Sequence, residues 1–276
     1  MSENKIFSPS AIKVYSECPV KYELKYVDRW LPRQADKPFW GTVAGDGFDV
    51  GSSVIISGGT LDEALKLADK VILEKLEVFH KAGGQFEAQD MVCVRADVNT
   101  ALTKFVAANP FARWKEVLAQ VRLPEQYGKP RLDIVGLDHN GVLSFADIKF
   151  KRYLDTQWVQ KTVEEYRYDW QFLHYAWAME KHYGKPVNAY LCLVRLKTAW
   201  QAQLFEFVYD PELIRMTGLS VVRWSEEMQR SLERGPALGT SHETKFGPCP
   251  YKDACLKYKF DDTLMQEKYI QVERII

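Results

Sequence analysis

The chain has 276 residues, 46% of them hydrophobic and 27% charged, and its 37 basic side chains are matched by 37 acidic ones. That length and apolar content can bury a real core, which excludes a disordered chain, while zero net charge weighs against a uniformly basic nucleic-acid binder and leaves room for a local basic cleft. No stretch of about 18 apolar residues is present and no charged, apolar leader opens the chain, so no membrane span is expected and the expected location is cytoplasmic. Five cysteines in such a chain read as thiols in a reducing compartment, some with a metal role, rather than as a disulfide framework.

Ser8-Pro9-Ser10 is a helix cap with proline in the first turn, and Ile12, Tyr15, Cys18 and Tyr22 follow at helical spacing. Residues 32–60, rich in Gly, Pro and Ser, read as loop that could hold a short helix. Thr60 and Glu63 have capping-box spacing ahead of a helix over 61–83, where Leu61, Ala64, Leu65, Ala68, Val71 and Ile72 recur on one face. A second helix is expected over 98–108. Strands follow over 117–123, 131–137 and 142–149, the last two joined by a turn at Asn140-Gly141. Then come one long helix over 157–183, a buried-type strand over 189–196, its hairpin partner over 201–208, and a helix over 211–233. No internal repeat or low-complexity segment stands out. The order predicts a mixed α/β domain, a sheet flanked by helices with a helical N-terminal lobe.

Asp133 lies about as far before the Asn140-Gly141 turn as Asp147 lies after it, so an antiparallel hairpin brings the two together. Lys149 is two residues past Asp147 and shares its strand face. Two carboxylates can hold Mg²⁺ or Mn²⁺ through hard oxygens, a bound metal activates water, and a lysine can orient that water or stabilise developing charge. An isolated D-x-K, however, is more often two solvated aspartates and a surface lysine. Downstream, Gln171 and Tyr175 stand at i and i+4 on the next helix. An acid, D-x-K across a hairpin, then Q-x-x-x-Y on the following helix resembles the PD-(D/E)xK nuclease superfamily, and within it the RecB/AddB-like nuclease domains and CRISPR-associated exonucleases.

The resemblance spans roughly residues 8–258. It implies one restriction-endonuclease-like domain over 1–276: a helical lobe at about 30–110, a catalytic core at about 115–235 and a cysteine-bearing segment over 236–276. It implies a metal-dependent deoxyribonuclease of recombination, repair or phage DNA metabolism. Asp133, Asp147 and the Ile148 carbonyl would bind metal, Lys149 would be catalytic, and Gln171 and Tyr175 would contact the surroundings of the metal or the DNA strand. Its metal-ligating histidine falls on Gly45, so Asp46 is expected to supply an acid instead, with Asp49 as the alternative. The branch also carries a 4Fe–4S cluster on four cysteines; Cys18, Cys249 and Cys255 match three of them, and the fourth falls on Phe246. Cys93 and Cys192 read as core, and His242 is a weak substitute ligand. Lys149, Lys151 and Arg152, and a stripe of Lys13, Lys21, Lys25 and Arg29, could hold phosphates, and Trp40, Trp158 and Trp170 could stack on bases. The expected partner is DNA, single-stranded or at ends, together with a larger machine or a second copy. A catalytically weak or inactive DNA-binding relative is the alternative.

Overall fold

The computed structural model describes residues 6–32, 40–81, 87–151, 156–195, 201–234, 243–244, 247–258, 261–266 and 268–271. Helix α1 (Pro9–Glu17) is followed by α2 (Pro19–Tyr22), which widens into a π-turn over Glu23–Val27. Ser8 caps α1, its Oγ accepting from the Ala11 amide at 3.3 Å. A short strand, β1 (Trp30–Pro32), precedes three long helices, α3 (Trp40–Ile56), α4 (Leu61–Lys81) and α5 (Ala88–Ala108). Five strands then build one sheet in sequence order: β2 (Lys115–Arg122), β3 (Arg131–Leu137), β4 (Leu143–Lys151), β5 (Asn188–Arg195) and β6 (Gln201–Phe207). Helices α6 (Thr156–Arg167) and α7 (Trp170–Tyr183) carry the chain from β4 to β5, and α8 (Pro211–Arg234) follows β6. Only β4 and β5 are parallel; the other neighbours are antiparallel. A parallel pair needs a long crossover, and α6–α7 is that crossover.

Because side chains alternate along a strand, the sheet has two apolar faces. Phe145, Leu191 and Leu193 pack with Ile12, Phe172, Met179 and Val221 from α1, α7 and α8. Ala146, Ile148, Cys192 and Val194 pack with Phe48, Ile72, Val98 and Leu102 from α3, α4 and α5. Burial of each large side chain stabilises the fold by roughly 1.5–3 kcal/mol, so the sheet is held between two helical layers. The expected mixed sheet flanked by helices, with helices ahead of it, is what the chain adopts.

Three expectations are corrected. The segment over 32–60 is not mainly loop, because α3 takes 17 of its residues. Its glycines lower helix propensity, yet they let neighbouring helices come close. A Cβ at Gly51 would lie 2.5 Å from Leu102 Cδ1, so packing against α5 requires the bare backbone there. Helix α5 starts at Ala88 rather than near 98, behind a capping box formed by Glu87 and Asp90. The stretch over 157–183 is two helices, not one. Asp169 breaks it and caps α7, its Oδ1 accepting from the Gln171 amide at 2.8 Å.

A third, smaller core joins the two ends of the described chain. Cys18, Val20, Leu24 and Trp30 pack with Cys249, Tyr251, Ala254, Met265 and Tyr269. Strand β7 (Tyr269–Gln271) pairs antiparallel with β1, and Tyr251 donates its hydroxyl proton to the Trp30 carbonyl at 2.7 Å. Among the described residues no helix is long and apolar enough to cross a membrane.

Gly51→Val should lower unfolding free energy by roughly 1–3 kcal/mol, the usual cost of overpacking. Urea denaturation followed by circular dichroism measures this, and an unchanged midpoint would show that α3 and α5 are not packed this closely.

Candidate active site

The β3–β4 hairpin is fixed at its turn by a buried acid. Asp138 Oδ1 accepts from the amides of Asn140 and Val142 at 2.8 and 3.0 Å, and Oδ2 accepts from the Tyr190 hydroxyl at 2.8 Å. Burial opposes its charge, but these donors outweigh that and hold the carboxyl below the usual range. The ladder then runs from Leu137–Leu143 to Ile134–Ala146. The next step places Asp133 beside Asp147, and here a side chain replaces a main-chain partner: Asp133 Oδ2 accepts from the Ile148 amide at 2.9 Å.

Asp147 is 2% exposed. Its Oδ1 accepts from Gln171 Nε2 at 3.3 Å, and the same amide donates to the Tyr175 hydroxyl at 2.8 Å. Gln171 and Tyr175 are one turn apart on α7, so one helix face supplies both. Lys149 Nζ lies 2.5 Å from Asp147 Oδ2, a close ion pair at the cleft floor. Lys149 and Lys151 also flank the Tyr166 ring of α6, at 5.9 and 5.6 Å from its centroid.

A cleft of about 290 Å³ opens over these groups, lined by Asp49, Asp133, Asp147, Lys149, Gln171 and Tyr175 and walled by Ser8–Ser10 and Lys129–Arg131. The structure brings Asp49, not Asp46, into the cleft. Asp46 Oδ2 instead pairs with Lys75 Nζ of α4 at 2.9 Å. Asp49 is four residues past Gly45, hence on the same face of α3 one turn on. The only signal for it in the sequence was that spacing.

Electrostatics mark the cleft. Burial, with Asp133, Asp147 and Asp46 adding repulsion, pushes the Asp49 carboxyl up to about 8 against the pull of Lys149. Burial also raises Asp147, to about 6, although Lys149 draws it down. Asp133 is raised by burial too, partly offset by the Ile148 amide, Lys149, Arg131 and Gln120. Burial works against the Lys149 ammonium, but Asp147 and Asp133 more than compensate and its pKa rises. Lys149 therefore stays a cation at neutral pH.

The three cysteines matched to the cluster pattern lie in the third core, and all are free thiols. Burial, with Cys18 and Cys249 nearby, pushes the Cys255 thiol up to about 11. A 4Fe–4S cluster takes four thiolates. Only three cysteines are present at the cluster positions and the fourth is Phe246, so these residues do not supply the four thiolates of a cluster. Phe246 and His242 lie outside the described residues, as do Arg152 and the side chain of Trp40. Among the described residues, no group of three or more His, Cys, Asp or Glu is set closely enough to hold a metal by itself. Cys192 is fully buried and Cys93 half-buried. Much of the basic stripe is neutralised: Lys13 pairs with Asp169 at 2.6 Å and Lys21 with Glu17 at 2.8 Å, while Lys25 lies over the Tyr26 ring. Trp158 is exposed beside Lys161, and Trp170 is half-buried against His174.

The site is an acidic cluster with one lysine, set on a central strand of a mixed sheet flanked by helices. The profile of the PD-(D/E)XK nuclease superfamily matches residues 6–258, and the chain belongs to that superfamily. The crystal structure of a candidate exonuclease from Eubacterium rectale is similar in fold, with a TM-score of 0.55 at 15% identity over 100% of this chain and 92% of the other. Comparison with curated proteins gives no match. The chain is thus a restriction-endonuclease-like nuclease-family protein.

The carboxylates make a sign prediction for metal-free protein. A raised folded pKa means the folded state binds the extra proton, so its stabilisation is full below the unfolded value near 4 and is lost as pH rises through the folded value. For Asp49 that loss runs upward from about pH 4 and is complete just above about 8. His174, which burial lowers to about 4, contributes only below about pH 6.5. In EDTA the melting temperature should therefore fall between pH 6.5 and 8 and level off above, and Asp49→Asn should remove most of that slope, a difference of roughly 2–4 °C. Calorimetry across this range tests it, and parallel profiles for the two proteins would refute it.

Proposed function

We propose that the cleft hydrolyses phosphodiester bonds of DNA with the help of Mg²⁺ or Mn²⁺, and acts from strand ends. The observation that carries this reading is that three carboxylates, Asp49, Asp133 and Asp147, line one cleft beside Lys149. Acids gathered and buried in this way are costly to ionise together unless a further cation offsets their repulsion. The donor set is all hard oxygen: Asp147, Asp133 and the Ile148 carbonyl, with Asp49 close by. Mg²⁺ accepts so sparse a set because it keeps several waters. When bound, a divalent ion would polarise the phosphate and lower the pKa of a water.

The chain's own residues divide the remaining work. The Ile148 amide takes one oxygen of Asp133 and so orients the carboxylate. Gln171 fixes Asp147 Oδ1 and is itself held by Tyr175. Lys149 stays protonated, which suits stabilising negative charge on the phosphate and placing a water, rather than removing a proton. Asp49 faces the same cleft and completes its acidic lining. End-directed action rests on the resemblance to exonuclease branches and on the description of the fold neighbour.

Purified protein incubated with end-labelled single- and double-stranded DNA should release short products only when Mg²⁺ or Mn²⁺ is supplied. Lys149→Ala should slow this by about 100-fold or more. Cleavage in EDTA, or cleavage indifferent to Lys149, would remove the reading. Binding without cleavage in either metal would favour the inactive DNA-binding relative.

A further inference from the structure

The cleft floor is acidic, yet its proposed substrate is a polyanion. Of the cations lining the cleft, Lys149 is held by Asp147, and Lys129 pairs with Glu125 at 2.7 Å. Arg131 has no ion pair among the described residues and its side chain is exposed. It stands two residues before Asp133 on β3, so it shares the face that carries the acid. Two strand residues span about 6.7 Å, close to the spacing of successive phosphates in an extended strand. The site also feels its charge, since Arg131 draws down the Asp133 carboxyl.

The backbone around Arg131 is fixed in advance. Its Cα pairs with Arg122 of β2, and the Leu123 amide donates to the Pro130 carbonyl at 3.0 Å. Gly128 adopts φ +85°, and its α-carbon sits so near the Phe7 carbonyl that no Cβ would fit. That contact presses the loop against the start of α1, the other part of the wall. Buried His174 is neutral, so its Nε2–H donates to the Tyr127 carbonyl at 2.9 Å and ties the loop to α7.

We infer that Arg131 is the strand-holding residue of the cleft, binding the phosphate next to the one that is cut. A guanidinium suits this because its planar fork meets phosphate oxygens two at a time. The inference rests on the nuclease reading and assigns the position of the strand within the site. Arg131 is thus a positioning residue; it does not act on the reacting phosphate.

The test is fluorescence anisotropy of a labelled oligodeoxythymidylate in EDTA over a salt series, with steady-state cleavage in Mg²⁺ or Mn²⁺ alongside. Arg131→Ala should weaken binding by about 10-fold and reduce the salt slope by about 0.7, one phosphate's worth on a single strand. It should raise KM with little change in kcat, and Arg131→Lys should recover part of the affinity. Lys149→Ala should lose kcat and still bind. Unchanged affinity and salt slope in Arg131→Ala, with Lys149-dependent cleavage intact, would overturn this inference and leave the nuclease reading standing. Absence of both binding and Lys149-dependent cleavage in the wild-type chain would overturn both. Because Arg131 is exposed, the variants should melt like the wild type; a lowered melting temperature in Arg131→Ala, with no recovery of affinity in Arg131→Lys, would assign the residue to the fold instead.

Discussion

A carboxylate buried as deeply as Asp147 loses most of its hydration, and a group so placed must gain donors, gain a cation or take up a proton. Here two more acids share the cleft, so each makes the others harder to ionise. Much of the local structure answers that problem. Gln171 donates to one oxygen of Asp147, Lys149 stands against the other, and the Ile148 amide serves Asp133. What is left over appears as carboxyls raised toward or past neutrality. A divalent cation, as proposed for the cleft, would relieve the repulsion that the protein relieves only in part.

Holding these groups in register requires stiffness on both faces of the sheet. The Asp138 network anchors the turn, so the hairpin cannot slip by one residue and send Asp147 to the opposite face. Helix α7 is fixed at its start by the Asp169 cap and along its length by Phe172, Ala176 and Met179, all fully buried. Gly218 of α8 lets the Trp177 ring come against its backbone, which seats α7 between the sheet and α8. On the other face, Phe48 stacks on Phe150 with ring centroids 5.2 Å apart. The next residue, Asp49, is thereby delivered over the end of β4.

The hairpin acids, Lys149, Gln171 and Tyr175 were legible because strand and helix periodicities are local: i+2 and i+4 spacing fixes which side chains share a face. All five line the same cleft. The third acid was not so plain. Composition made residues 32–60 look like loop, and a glycine-rich helix exists only because α4 and α5 close around it. Without the helix there is no reason to prefer Asp49 over Asp46; with it, Asp46 faces Lys75 and Asp49 faces the cleft. The break at Asp169 was hidden for a related reason. Tyr168 and Asp169 fit a helical pattern by polarity, and only the cap geometry shows that a new helix begins. Arg131 carried no signal at all, since a solvated arginine at a strand start is ordinary until the opposite wall is known.

The chain ends show how packing can stand where the resemblance implies a cofactor. A cluster would hold the N-terminal and C-terminal segments through four covalent ligands. In this chain the same segments meet through β1 and β7, the Tyr251–Trp30 hydrogen bond, and the stacked rings of Tyr251 and Tyr269 at 5.7 Å. Tyr269 reaches further, donating to the Pro250 carbonyl at 3.0 Å. Cys18 and Cys249 are then buried members of an apolar core, which is how free cysteine commonly behaves. This core matters to the site through connection. It holds α2, α2 follows directly on α1, and the first turn of α1 is a wall of the cleft. A closure made of apolar contacts and hydrogen bonds can keep that wall in place without iron, so the integrity of the cleft and the presence of a cluster are separable properties of this chain.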